Sequence, residues 1–138
     1  MKMQIVPCLL FDGRCEEAFK FYERALYAKI RTMFSYAGSP MAGDAPADWQ
    51  HKIMHATLEI GEYELTGGDP RPDQYERPKG FQIMLNLDDP AEADRIFHAL
   101  SEGGTVGVPI QQTFWALRFG FVVDRFGIPW AVNCESSG

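Results

Sequence analysis

Phe81-Gln82-Ile83-Met84-Leu85-Asn86-Leu87, followed by Asp88-Asp89-Pro90-Ala91-Glu92-Ala93-Asp94-Arg95-Ile96-Phe97-His98-Ala99-Leu100, is the stretch whose reading decides the fold. Its first seven residues are mostly apolar and read as a strand. Asp89 is a natural N-cap, Pro90 suits the first helical position, and Glu92 is spaced to close a capping box on the Asp89 amide. Ala93, Ile96, Phe97 and Leu100 then form one helical stripe, which Gly103-Gly104 ends. Downstream, residues 105–109, 115–123 and 128–134 read as three more strands, with Asp124-Arg125-Phe126-Gly127 as the hairpin turn between the last two.

The same order occurs once before. Residues 4–11 are apolar and stop at Asp12-Gly13, the mark of a strand entering a turn. Ala18, Phe21, Tyr22, Ala25 and Leu26 make a helical stripe, with Glu16 and Glu17 in the first turn where the helix dipole favours them. Segments 29–36, 53–60 and 62–67 then read as strands. A shift of 75 positions lays Glu17 on Glu92, Ala18 on Ala93, Phe21 on Ile96, Tyr22 on Phe97 and Leu10 on Leu85, and it keeps the element order on both sides. The expected fold class is therefore α+β: one domain over 1–138, built of two β-α-β-β-β modules at about 1–67 and 81–138. Residues 68–80, with Pro70, Pro72 and Pro78, are the expected linker. The loop 37–51 is longer than a hairpin needs, and such loops often form lids or pocket rims.

Composition narrows the function classes. The 138 residues are 46% hydrophobic, enough for one substantial core. A net charge of −6 without any basic run argues against nucleic acid and membrane surfaces as partners. Cys8, Cys15 and Cys134 form no C-x-x-C pair and read as reduced, buried apolar groups, which together with the lack of a leader-like segment predicts a cytoplasmic protein. No phosphate-binding glycine loop and no nucleophile elbow are present, so nucleotide cofactors and acyl-enzyme chemistry are not expected.

Paired modules of this size resemble the vicinal-oxygen-chelate superfamily, which includes glyoxalase I, extradiol dioxygenases and bleomycin-resistance proteins. Asp12-Gly13-Arg14-Cys15-Glu16-Glu17-Ala18 with Phe21-Tyr22-Glu23, then Met54-His55-Ala56, Gln112-Thr113-Phe114-Trp115-Ala116, and Asp124-Arg125-Phe126-Gly127-Ile128-Pro129-Trp130 through Asn133, are similar to its PhnB-like branch. The resemblance runs from about residue 4 to 135. It implies a half-open, curled mixed sheet around a cavity, a homodimer, and a small organic molecule as ligand, with the reaction open. Tyr27-Ala28 stands where the family usually ends its first helix in Leu-Gly, and Gln112 replaces a usual Glu.

The resemblance also implies where a metal would bind. The inherited positions fall on Pro7, Gln82, either Glu64 or Leu65, and Ala131, a set too poor in donors for a tight site, so neither a bound metal nor another cofactor is expected. The alternative is a metal-assisted lyase, isomerase or dioxygenase using His55 and Glu64, with Gln82 as a weak ligand. A methyltransferase, as some family members are labelled, would need an S-adenosylmethionine site that no glycine-rich strand-to-helix turn supplies.

Alternation along 53–60 puts Met54, Ala56, Leu58 and Ile60 toward the helices and His55, Thr57 and Glu59 on the other face. His55 and Glu59 are the candidate general acid or base, and Thr57, Glu64, Gln82 and Trp115 the candidate ligand contacts. Equally, these are ordinary polar residues on a half-solvated face. Phe114 and Trp115, adjacent on one expected strand, should point to opposite sides, one into the core. Gln111, Gln112 and Thr113 offer uncharged hydrogen-bonding groups beside them. His51 and His98 are expected on the surface.

Overall fold

The computed structural model describes residues 1–135, which divide into two compact units, Met1–Glu76 and the residues from Arg77 onward. In the first unit β1 (Cys8–Leu10), α1 (Cys15–Leu26), β2 (Lys29–Ser35), β3 (Ile53–Ile60) and β4 (Tyr63–Gly68) follow one another. They form an open four-stranded sheet in the order β1-β4-β3-β2, parallel at the β1–β4 pair and antiparallel elsewhere. The second unit repeats this with β5 (Ile83–Leu87), α2 (Pro90–Ser101), β6 (Thr105–Gln111), β7 (Ala116–Val123) and β8 (Pro129–Glu135). Its sheet order is β5-β8-β7-β6, again with one parallel pair, β5–β8.

Each sheet carries its helix on one face. Ala18, Phe19, Phe21, Tyr22, Ala25 and Leu26 of α1 are buried, and Phe19 sits so near Gly67 that a Cβ there would lie 2.8 Å from its ring. In the second unit Ala93, Ile96, Phe97 and Leu100 are buried, and Phe97 approaches Gly120 to 2.7 Å in the same sense. A helix seated directly on strand backbone needs a residue without a side chain beneath it.

Several boundaries move. The first strand, expected over 4–11, pairs only over Cys8–Leu10. Thr66 N–H still reaches the Pro7 carbonyl (2.9 Å), but Pro7 has no N–H to give back, and the ladder stops there. The strand expected to begin at Trp115 begins at Ala116. Thr113 causes this, because its N–H donates to the Ala116 carbonyl and its hydroxyl accepts from the N–H groups of Trp115 and Ala116.

The helix ends also differ from local expectation. Asp89 caps α2 by accepting from Ala91 N–H (3.0 Å), but the return half of the capping box is not made, since Glu92 pairs with Arg95 at 3.1 Å. Helix α1 has no local side-chain cap, and it stops with Tyr27 in the left-handed region at φ 53°. The left-handed turn thus falls on Tyr27, one residue before Ala28 at the family's glycine position, and the helix is not lengthened. Of the three thiols, Cys15 and Cys134 are buried, whereas Cys8 is exposed, contrary to expectation. It shares the helix-free face of its strand with Leu10, while Leu9 between them takes the core side.

Candidate functional site

The first unit is held at one point by a buried carboxylate. Asp69, immediately after β4, accepts from the N–H groups of Gly13 (3.0 Å) and Cys15 (3.1 Å) on Oδ1 and from Ile53 N–H (3.0 Å) on Oδ2. It therefore caps α1 from more than fifty residues away. Its carbonyl accepts from Tyr36 Oη (2.7 Å) and Trp49 Nε1 (3.4 Å). Burial pushes the Asp69 carboxyl above the ordinary carboxylate range, against the three backbone donors that pull it down, and burial likewise pushes the Cys15 thiol well up. With three backbone N–H groups bound to its two oxygens, Asp69 is a structural anchor. The expected linker thus contributes a structural residue to the first unit.

The helix-free face of this sheet carries the candidates from β3 and β4. Thr57 pairs with Thr66 and Glu59 with Glu64, so Thr57, Glu59, Thr66 and Glu64 share that face. His55 is exposed opposite Phe34. Four residues at about 3.3 Å each put His55 roughly 13 Å from Glu59 and from the Glu64 beside it. His55 and Glu59 therefore do not form an acid–base couple. Glu59 instead meets Arg31, the extra residue of a bulge in β2, at 3.3 Å. The spacing also separates His55 from Glu64 as joint metal ligands. Among the described residues no three His, Cys, Asp or Glu side chains converge in a way that would hold a metal ion. The side chains present do not fit the metal of the superfamily.

The long loop 37–51 folds into two short turns, Ala42–Asp44 and Ala47–Trp49, pinned by Gln50 Nε2 donating to the carbonyls of Ala42 (2.8 Å) and Ala45 (2.9 Å). With Arg71, Pro72 and Asp73 it borders an open depression of about 500 Å³. His51 and His98 are on the surface.

In the second unit a row of side chains crosses all four strands on the face away from α2. Asn86 pairs with Asn133, Asn133 with Phe119, and Phe119 with Gln111. Beside this row lies a second one, with Met84, Ala131, Phe121 and Val108 in register. No member of either row carries a charge. Arg118, next to Phe119, points to the other side and binds Asp94 of α2 at 3.0 Å. Asn133 is only 7% exposed; its Nδ2 donates to Asn86 Oδ1 (3.0 Å), and its Oδ1 is buried without a protein partner.

Trp115 and Phe114 both precede β7, and neither is core. Phe114 is 98% and Trp115 50% exposed, and their rings meet edge to face at 4.9 Å, so the expected split between two sides of the sheet does not occur. Trp115 also meets Phe119 edge to face at 5.4 Å, which extends the apolar part of the row. Gln82 is exposed, one residue before β5. The register puts Gln82 and Trp115 at opposite ends of the sheet, because Gln82 lies four residues before Asn86 and Trp115 four before Phe119 on an antiparallel strand. The sequence analysis gave neither Asn86 nor Asn133 a role at the site. The available signal was a lone amide in the otherwise apolar Ile128-Pro129-Trp130-Ala131-Val132-Asn133-Cys134.

Comparison with known proteins adds the family. The family model described as 3-demethylubiquinone-9 3-methyltransferase matches residues 3–133. Protein YjdN of Escherichia coli (strain K12) is 32% identical over 139 residues, covering 95% of each chain. The crystal structure of protein PA1353 from Pseudomonas aeruginosa is similar at a TM-score of 0.89 and 48% identity, covering 97% of this chain and 98% of that one. A putative 3-demethylubiquinone-9 3-methyltransferase, PhnB protein, from Bacillus cereus shares the fold at a TM-score of 0.81 with 21% identity, covering 96% and 100%. With a match over 3–133 and a 32% identical relative along nearly its whole length, the chain belongs to the family which that model describes, and it shares the fold of the PhnB protein from Bacillus cereus.

Proposed function

We propose that this protein binds a small, uncharged organic molecule on the α2-free face of its second unit. The observation that carries this reading is the uncharged row Asn86-Asn133-Phe119-Gln111, flanked by Trp115, whose ring meets Phe119 edge to face. Aromatic walls with a few amides are the usual equipment for orienting a neutral ligand. On the first unit the equivalent face carries His55, Glu59 and Glu64, which are spread along the strands and exposed or ion-paired. They are suited to solvent or to the rim of a site rather than to its centre. Native mass spectrometry of freshly purified protein tests the reading: a copurifying small molecule lost on Trp115→Ala or Phe119→Ala supports it, and one lost only on His55→Ala contradicts it.

The methyltransferase name belongs to the family model. The turns leading into the two helices hold Gly13 alone and Asp88-Asp89, no glycine-rich nest for a nucleoside cofactor. The protein is further proposed to be a homodimer, because Phe114 is almost fully exposed and a second copy would cover it. Light scattering should give twice the 15.6 kDa of one chain. An exposed free thiol at Cys8 suits a reducing compartment such as the cytoplasm, and no helix among the described residues is long and apolar enough to cross a membrane.

A further inference from the structure

We infer that Thr113 is a positioning residue of this face, the group that holds the Trp115 ring against Phe119. The inference rests on the binding role proposed above and deepens it. The N–H of Thr113 donates to the Ala116 carbonyl (3.0 Å), and its hydroxyl oxygen accepts from the N–H groups of Trp115 (3.3 Å) and Ala116 (3.1 Å). Phe114 and Trp115 are thereby the two central residues of a tight loop closed by Thr113 and Ala116, just ahead of the strand that starts at Ala116.

The loop decides where the two rings go. Adjacent residues of a strand point to opposite faces, and residues four apart lie roughly 13 Å from one another along it. Here the Phe114 and Trp115 rings meet at 4.9 Å and the Trp115 and Phe119 rings at 5.4 Å, both edge to face. A continuous strand would part the first pair and leave the second to span its own length. β7 also bulges between Ala116 and Arg118, which bends the chain where the loop joins it. Burial does not fix the two rings, since Trp115 is half exposed and Phe114 almost fully so. Their placement falls to the backbone that carries them, and the Thr113 hydroxyl ties that backbone at two points. An aromatic anchor set in place before a ligand arrives lowers the ordering cost of binding, so the hydroxyl raises affinity without touching the ligand. Valine has the shape of threonine without the acceptor, whereas serine keeps the oxygen.

The test is indole NMR of Thr113→Val and Thr113→Ser, with the Trp115 Nε1–H signal identified by its loss in Trp115→Phe and with 2-quinolone as the binding probe. In Thr113→Val the Trp115 signal should sharpen and move toward the position of a free indole, while the Trp49 and Trp130 signals stay and report an intact fold. The same variant should bind 2-quinolone about fivefold more weakly. Thr113→Ser should restore the signal and bring affinity back to within about twofold of wild type. An unchanged Trp115 signal in Thr113→Val, or serine behaving as valine does, would overturn the positioning role. So would movement of all three indole signals, which would make Thr113 a general structural residue. A Thr113→Val that frees Trp115 yet binds 2-quinolone as wild type does would leave the positioning role standing and count against the binding reading.

Discussion

The two units share a sheet order and a helix position, yet their helix-free faces are chemically opposite. On the first, β3 and β4 present His55, Thr57, Glu59, Glu64 and Thr66, and Glu59 is met by Arg31. On the second, the corresponding surface is Met84, Asn86, Phe119, Phe121 and Asn133, with Glu135 at the end of β8 as its charged edge. The difference teaches that duplication preserved what the helices need and left the other face free to diverge. Shared packing constraints explain the first part. Each sheet gives its helix a glycine to rest on, Gly67 under Phe19 and Gly120 under Phe97.

Each unit also depends on a buried aspartate, and here the comparison can be broken most forcefully. Asp69 ties three backbone N–H groups across the first unit. Asp124 works within its own turn, accepting from Phe126 and Ile128 N–H on Oδ1 and from Trp130 Nε1 (2.8 Å) on Oδ2. Asp69→Ala should cost about 3 kcal/mol or more, because three buried donors lose their acceptor and α1 loses its cap. Urea denaturation should show the second unit less affected, with its protons keeping their hydrogen-exchange protection longer. Equal loss of protection in both units would mean that they unfold as one.

Next in size is Asn133→Leu. Removing a buried acceptor without a partner should leave stability unchanged or raise it by about 1 kcal/mol, while binding on this face weakens. A polar group retained at a cost to stability is the mark of a working residue, so a drop of more than about 2 kcal/mol would recast Asn133 as structural. Smaller still, Tyr27→Gly should stabilise the protein by about 0.5–1 kcal/mol by relieving the left-handed tyrosine at the end of α1, seen as a rise in the urea midpoint. At the small end, His55→Ala should change stability by less than about 0.5 kcal/mol and leave binding intact.

What could be read from the chain follows from the range of the forces involved. The strand Ile53–Ile60 and the stripes of both helices were legible because alternation and helical spacing record burial residue by residue. Asp89 was legible as a cap because its partner, Ala91, is two residues away. The cap of α1 was not, since Asp69 arrives from the end of another strand. Glu92 was misread because the competing partner, Arg95, lies one turn on and offers an ion pair. At the site, alternation correctly grouped His55, Thr57 and Glu59 on a face, but a strand spreads such a group over roughly 13 Å, and sharing a face is not convergence. The Asn86–Asn133 pair depends on the register between β5 and β8, which no local pattern encodes.

The central claim, that the working surface is the aromatic and amide-lined face of the second unit, is tested most directly by backbone and side-chain amide NMR during titration with 2-quinolone, a small neutral aromatic probe. The account predicts that the largest shifts fall on Met84, Asn86, Phe119, Phe121 and Asn133, with the Asn133 side-chain amide among them. Shifts concentrated instead on His55, Thr57, Glu59 and Glu64, or around Asp44 and Arg71, would contradict it.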